Sequence, residues 1–213
     1  MNIKNIIFDF GKVIVNIDWE RVSKEFKARG VNNVDELHDY LVEENFYFDL
    51  ETGEISPQTF RDAIRMFIGD HTPDHEIDAA WNSMILDIPE QRVKLLEKLK
   101  NKYRTFLLSN TNQIHFQHYN TYFASHYGYE NLADIFEEAY FSHEMRLRKP
   151  DPEIYRVVLE KHGLKAGETL FIDDMVENIR SAGELGIVGH HLKEGQDIID
   201  LFDKDLAYTG ITD

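Results

Sequence analysis

Three apolar runs that each end in polar, chemically capable residues constrain this chain more than anything else in it. Ile6-Ile7-Phe8 leads into Asp9, Phe106-Leu107-Leu108 into Ser109-Asn110, and Leu170-Phe171-Ile172 into Asp173-Asp174. An apolar run without polar alternation reads as a strand buried on both faces, as in a parallel sheet covered by helices. An acid that closes such a strand does not serve packing, because an unpaired buried carboxylate is costly. Parallel strands end on one edge, and in open α/β sheets ligands bind outside that edge. Asp9 taken alone reads equally well as an acid capping the turn at Gly11. The other two strand ends, and Lys149 in the loop Arg148-Lys149-Pro150, tip the reading toward a common site.

Between these strands the pattern is helical. Asp18 to Arg29 reads as a helix capped by Asp18, with Val22 and Phe26 inward and Gly30 as its stop. Asn33 to Glu43 follows, with Val34, Leu37 and Leu41 on one stripe. The aromatic stretch Asn45 to Ile55 reads as a loop. Ser56-Pro57 opens a helix that carries Phe60, Ile64 and Phe67, and Thr72-Pro73 opens another that runs to about Ile85. From Pro89 onward helices and strands alternate. Pro89 to Lys100, Asn112 to Tyr127, Pro152 to His162, Glu177 to Leu185 and Asp197 to Phe202 read as helices. Glu138 to Ser142 and His190 to Leu192 read as further short strands. The expected fold is therefore α/β: a Rossmann-like, three-layer parallel sheet with right-handed crossovers. Residues 1–16 and 87–213 would form the core, and residues 17–86 an inserted helical cap.

Composition narrows the function. The 213 residues carry a net charge of −16 and 42 % hydrophobic residues. An acidic surface argues against nucleic acid and anionic membranes as partners, so an anionic ligand must be met by a metal ion or a few placed cations. There is no Cys, hence neither disulfide nor thiolate metal site, which suits a cytoplasmic protein. No stretch reads as a signal peptide or a bilayer span. His115 with His118, and His190 with His191, lack the accompanying ligands of a zinc site.

As a set these motifs resemble the haloacid dehalogenase (HAD) hydrolase superfamily. The resemblance covers nearly the whole chain and rests on the Asp9 loop, Ser109, Lys149 before Pro150, and Asp173-Asp174. The helical segment after the first strand matches the subgroup with a helical cap. Phe8-Asp9-Phe10-Gly11-Lys12-Val13, Leu108-Ser109-Asn110-Thr111-Asn112 and Arg148-Lys149-Pro150 look closest to bacterial sugar phosphatases such as α-glucose-1-phosphatase. The resemblance implies a Mg²⁺-dependent phosphatase of a small phosphorylated metabolite, with a sugar phosphate expected, acting as a monomer or homodimer. Asp9 would be the nucleophile and form an aspartyl phosphate. Asp9, the Gly11 carbonyl and Asp174 would hold Mg²⁺, with Asp173 behind them or as an alternative ligand. Ser109 and the Asn110 N–H would donate to the phosphoryl oxygens, and Lys149 would bridge Asp9 and the phosphate. Backbone N–H groups from Phe10 to Val13 would complete the anion nest.

One position departs from the pattern. Most phosphatases of this family carry a second Asp two residues after the nucleophile, as general acid and base; here Gly11 stands there. Substitutes in reach by sequence are His115, Asp18 and Glu51. Glu51 belongs to Leu50-Glu51-Thr52-Gly53-Glu54-Ile55-Ser56, which resembles the family's substrate-facing cap loop. Gly53 would permit a tight turn there. Phe46, Tyr47 and Phe48 are expected to pack the cap on the core. The vacancy also leaves two rivals open: a dehalogenase acting through Asp9, and a phospholigand-binding regulator without turnover. The acid pair Asp173-Asp174 weighs against the first, since dehalogenation needs no metal.

Overall fold

The computed structural model describes residues 2–210. Strand β1 (Asn5–Phe8) is followed by helices α1 (Glu20–Ala28), α2 (Val34–Glu43), α3 (Phe46–Glu51), α4 (Pro57–Ile68) and α5 (Asp74–Asn82). Then come α6 (Glu90–Leu99), β2 (Arg104–Ser109), α7 (Gln113–Tyr127), β3 (Glu138–Phe141), α8 (Ser142–Met145) and α9 (Pro152–His162). The order closes with β4 (Thr169–Asp173), α10 (Val176–Glu184) and β5 (Val188–His191). The five strands form one parallel sheet in the order β3-β2-β1-β4-β5.

The sheet is a Rossmann-like α/β core, and the apolar runs explain its layers. Ile6 and Phe8 face one side and pack with Leu107, Leu170 and Ile172 against Leu96, Tyr119 and Phe123. Ile7 faces the other, with Phe106, Leu108 and Phe171 against Ile154, Tyr155 and Val158. Both faces are dry, so a strand here needs no polar alternation. The chain runs from β1 through β2 to β3 on one side and then crosses to β4 on the other. The topological switch point therefore lies between β1 and β4, where ligands bind in such sheets.

Helices α1–α5 gather around a cluster of their own, including Phe26, Leu37, Leu50, Phe60, Ile64 and Trp81. The chain enters and leaves them along two paired segments. Leu86 N donates to Asn16 O at 2.9 Å, Asn16 N to Asp87 O at 3.0 Å, and Asp18 N to Met84 O at 2.9 Å.

Several elements differ from the sequence reading. Residues 46–51, expected as loop, form α3, which starts after Asn45 in a left-handed conformation (φ 60°) and buries Leu50 and Glu51. Asp18 does not cap α1 as its N-cap residue; its Oδ1 accepts from Glu20 N at 3.1 Å, and the helix begins two residues later. Helix α5 begins at Asp74, one residue past Pro73, and ends at Asn82 rather than Ile85. The stretch 197–202, expected as a helix, closes only a short 3₁₀ turn, Ile198–Leu201. The last strand starts at Val188 instead of His190.

Gly53 turns the chain between α3 and α4 at φ +70°, where a Cβ would run into the backbone carbonyl of His143 in α8. Both the conformation and the closeness demand glycine. Gly53→Ala is expected to cost ~1–3 kcal/mol of stability. Chemical denaturation checks this; an unchanged midpoint would mean the contact yields freely.

Candidate active site

The site grows from strand ends at the switch point. Asp9 continues the β1 ladder, its N–H donating to Ile172 O at 2.9 Å. Ser109 ends β2 and Asp173 ends β4, both fully or nearly buried. Lys149 comes from the loop before α9 and is 2 % exposed. Its Nζ donates to Asp9 Oδ1 at 2.6 Å and to Asp173 Oδ2 at 2.7 Å. Burial alone would lower the Lys149 pKa, but Asp173 and Asp9 outweigh it and hold the ammonium above its ordinary range.

The backbone of Lys149 is fixed as firmly as its side chain. Asn110 Nδ2 donates to Lys149 O, and Lys149 N donates back to Asn110 Oδ1, both at 2.9 Å. Ser181 Oγ in α10 donates to Pro150 O at 2.5 Å. A long flexible lysine is thus held in one place before any ligand arrives.

The two acids of β4 have different surroundings. Asp173 Oδ1 accepts from Met175 N at 2.8 Å and Asn178 Nδ2 at 3.0 Å; Oδ2 accepts from Lys149 and again from Asn178. A carboxylate offers about four lone-pair sites, so Asp173 is saturated by the protein. Asp174 is half-buried and lies 3.8 Å from Lys12 Nζ. Burial, then Asp173, push the Asp174 pKa up. Asp9 is raised to about 7, first by burial and then by Asp173 and Asp174, against the pull of Lys149.

Carboxylate oxygens of Asp9, Asp173 and Asp174 lie within 4.8 Å of one another. One buried ammonium does not balance three clustered acids, and their oxygen-only donor set suits a hard divalent cation such as Mg²⁺. The residues present fit that ion.

Above this floor opens a cavity of about 320 Å³. Its walls include Trp19, Tyr47 and Glu51 from the α1–α5 layer, His115 from α7, and Arg148. Arg148 donates through Nε and Nη2 to Glu51 Oε2, each at 2.9 Å, and lies 4.6 Å over the Phe48 ring. Burial raises the Glu51 pKa although Arg148 opposes it.

The chain matches the haloacid dehalogenase-like hydrolase family over residues 3–186. It belongs to that family. This hydrolase is 30 % identical to D-ribitol-5-phosphate phosphatase of Bacteroides thetaiotaomicron over 92 % of its own length and 94 % of the relative's. A HAD-family enzyme of the same organism, solved in complex with magnesium and inorganic phosphate, is 41 % identical with a TM-score of 0.85, over 94 % of this chain and 100 % of that one. L-2-haloacid dehalogenase of Xanthobacter autotrophicus is 18 % identical with a TM-score of 0.58, over 89 % and 77 % of the two chains, and shares the fold.

Asp9, Gly11, Glu51, Ser109, Asn110, His115, Lys149 and Asp174 of this HAD hydrolase all line the one cavity; Asp173 lies sealed beneath it, and Asp18 is not among the lining residues. The left-handed residue of the first turn is Lys12 (φ 57°), not Gly11. A Cβ at Gly11 would meet only Ile17 Cγ1, at 3.8 Å, so the backbone does not require glycine there. His115 differs from the expected acid. Burial, then His118 one turn along, push its pKa down to about 3, so near neutrality it is a neutral imidazole and not an imidazolium acid. Sequence reasoning missed Asn178, Arg148 and Lys12. Asn178 in the first turns of α10 had a readable signal, a buried amide five residues after Asp173; the Glu51–Arg148 pair, 97 positions apart, had none.

Proposed function

We propose that this chain is a magnesium-dependent phosphatase that hydrolyses a small phosphorylated metabolite, a sugar or alditol phosphate, through an aspartyl phosphate at Asp9. The observation that carries the reading is Lys149 Nζ bridging Asp9 and Asp173 beside Asp174, whose contact with Lys12 Nζ is a long 3.8 Å. The phosphatase relative and the magnesium–phosphate complex of a similar enzyme support it. Residues 17–86 act as the cap over a core of 1–16 and 87–213.

Asp9 Oδ1 is held by Lys149, which fixes the carboxylate at the edge of the cavity that Asp9 lines. One oxygen of Asp9 attacks phosphorus in line, the bond from phosphorus to the ester oxygen breaks, and the departing oxygen takes its proton from solvent water to leave as the alcohol. Water then cleaves the acyl phosphate, releases phosphate and restores Asp9. Ser109 Oγ and the Asn110 N–H donate to the phosphoryl oxygens, and Lys149 neutralises their charge. Asp9, the Gly11 carbonyl and Asp174 would hold Mg²⁺, which would supply charge neutralisation for the phosphoryl group and the clustered acids. Asp173 holds Lys149 instead of the ion, because its lone pairs are already engaged. Among the described residues no helix is long and apolar enough to cross a membrane, and a cytoplasmic metabolite fits the reading.

The test is phosphate release from a panel of phosphate monoesters with and without Mg²⁺. Turnover should vanish in EDTA and return with Mg²⁺. Asp174→Ala should raise the Mg²⁺ needed for half-maximal activity ~10–100-fold, with partial rescue at high Mg²⁺. Activity indifferent to EDTA, or release of halide from a 2-haloacid with no phosphate release from any ester, would reject the phosphatase. Tight ester binding without turnover would make the chain a binding protein.

A further inference from the structure

Part of the cavity wall is apolar, with Val15, Ile17, Trp19, Met84 and Ile85 in it. Two of its polar side chains, Glu51 and Arg148, satisfy each other. His115 does not fit that pattern. Its Nδ1 lies 2.8 Å from Asn82 Oδ1, at the end of α5. A carbonyl oxygen accepts, so Nδ1 carries the ring proton and Nε2 keeps its lone pair. Nε2 is hydrogen-bonded to no described residue, yet it is not among the sealed polar atoms of the chain, and the residue lines the cavity.

We propose that His115 is a fixed neutral hydrogen-bond acceptor that selects, among phosphate monoesters, those whose leaving group carries a hydroxyl. The inference rests on the phosphatase reading and names the residue that would recognise the hydroxylated leaving group of that substrate.

Three features hold the ring in this state. The Trp81 indole stacks on the imidazole, with centroids 5.1 Å apart and planes 12° apart. The backbone N–H of His115 donates to Asn112 Oδ1 at 3.0 Å in the first turn of α7. The positive end of that helix, like burial, opposes a second ring proton. Trp81 and Asn82 come from the cap and His115 from the core, so the acceptor is set in its tautomer only when the two are seated together. A substrate hydroxyl then donates to Nε2. An ester without a hydroxyl leaves Nε2 desolvated and unpaired, which is the arrangement by which a site rejects a deoxy analogue.

The experiment compares kcat/KM for a five-carbon alditol monophosphate and for n-pentyl phosphate, and reads the ratio. The wild type should favour the alditol ester strongly. His115→Phe should lower that ratio roughly tenfold or more, mainly through KM, and His115→Gln, which keeps an acceptor, should restore part of it. Nitrogen-15 chemical shifts of the wild-type imidazole at pH 7 give a second readout that needs no variant. The Nδ1–H neutral tautomer is expected. An unchanged ratio in His115→Phe, or an Nε2–H tautomer or imidazolium at pH 7, would overturn the proposal. A wild type that hydrolyses neither ester nor any other monoester would overturn the phosphatase reading instead.

Discussion

Asp9→Asn is expected to abolish phosphate release, by ~10³-fold or more, while the protein stays folded. The amide has nearly the shape of the acid. Its oxygen can still accept from Lys149 Nζ, which lies 2.6 Å from Asp9 Oδ1, and the β1 ladder bond from residue 9 to Ile172 O is untouched. An amide oxygen is a poor nucleophile, however, so no covalent intermediate forms. The stability change should be small, within about 1 kcal/mol, because two effects oppose. Lys149 loses one charged partner, but the crowding of Asp9 by Asp173 and Asp174, which adds to burial in holding its pKa near 7, is relieved. Two measurements decide. Acid-quenched wild type under turnover should carry a phosphoryl group on Asp9 by mass spectrometry, and the variant should not. Near-normal kcat in Asp9→Asn would sink the covalent mechanism.

The parts of the molecule that were legible from sequence are those governed by local rules. The strand ends were readable because Ile6-Ile7-Phe8 before Asp9 and Leu170-Phe171-Ile172 before Asp173 are apolar on both faces, a pattern few other structures tolerate. Helix α9 was readable to the residue because Asp151 caps it, accepting from Glu153 N, with Pro152 at the first helical position. Helix α3 was not. It has no side-chain cap, it begins at a left-handed Asn45, and its aromatic residues find partners in other helices, as Tyr47 does against Trp81. Tertiary packing decides such a segment, not propensity. The site divides the same way. Which residue types meet at the sheet edge followed from topology. How they meet did not: that Asp173 is saturated depends on Asn178 and Met175, and that His115 Nδ1 lies against Asn82 Oδ1 depends on the end of α5.

Lys149→Met should produce the largest combined loss, in activity and in stability. The side chain is close in length, so the cavity changes little, but the charge is gone. Asp9 and Asp173 are then left buried without the ammonium that lies 2.6 and 2.7 Å from them. Removing one partner of a buried ion pair typically costs ~3–5 kcal/mol, because the survivor is an uncompensated charge. Activity should fall ~10³-fold or more, since the cation also faces the phosphoryl group. The two losses can be separated with a second substitution. In Lys149→Met/Asp173→Asn one of the stranded charges is removed. The amide oxygen at 173 can keep Met175 N and Asn178 Nδ2, both of which reach Asp173 Oδ1. Stability should therefore recover substantially, read as the denaturation midpoint, while activity should not recover at all. Such coupling between touching residues is what a double-mutant cycle isolates. If the double variant regained turnover along with stability, the lysine would be a structural counter-ion only, and its place in the chemistry would have to be given up. If Lys149→Met lost turnover without losing stability, the triad would be less tightly coupled than its distances require.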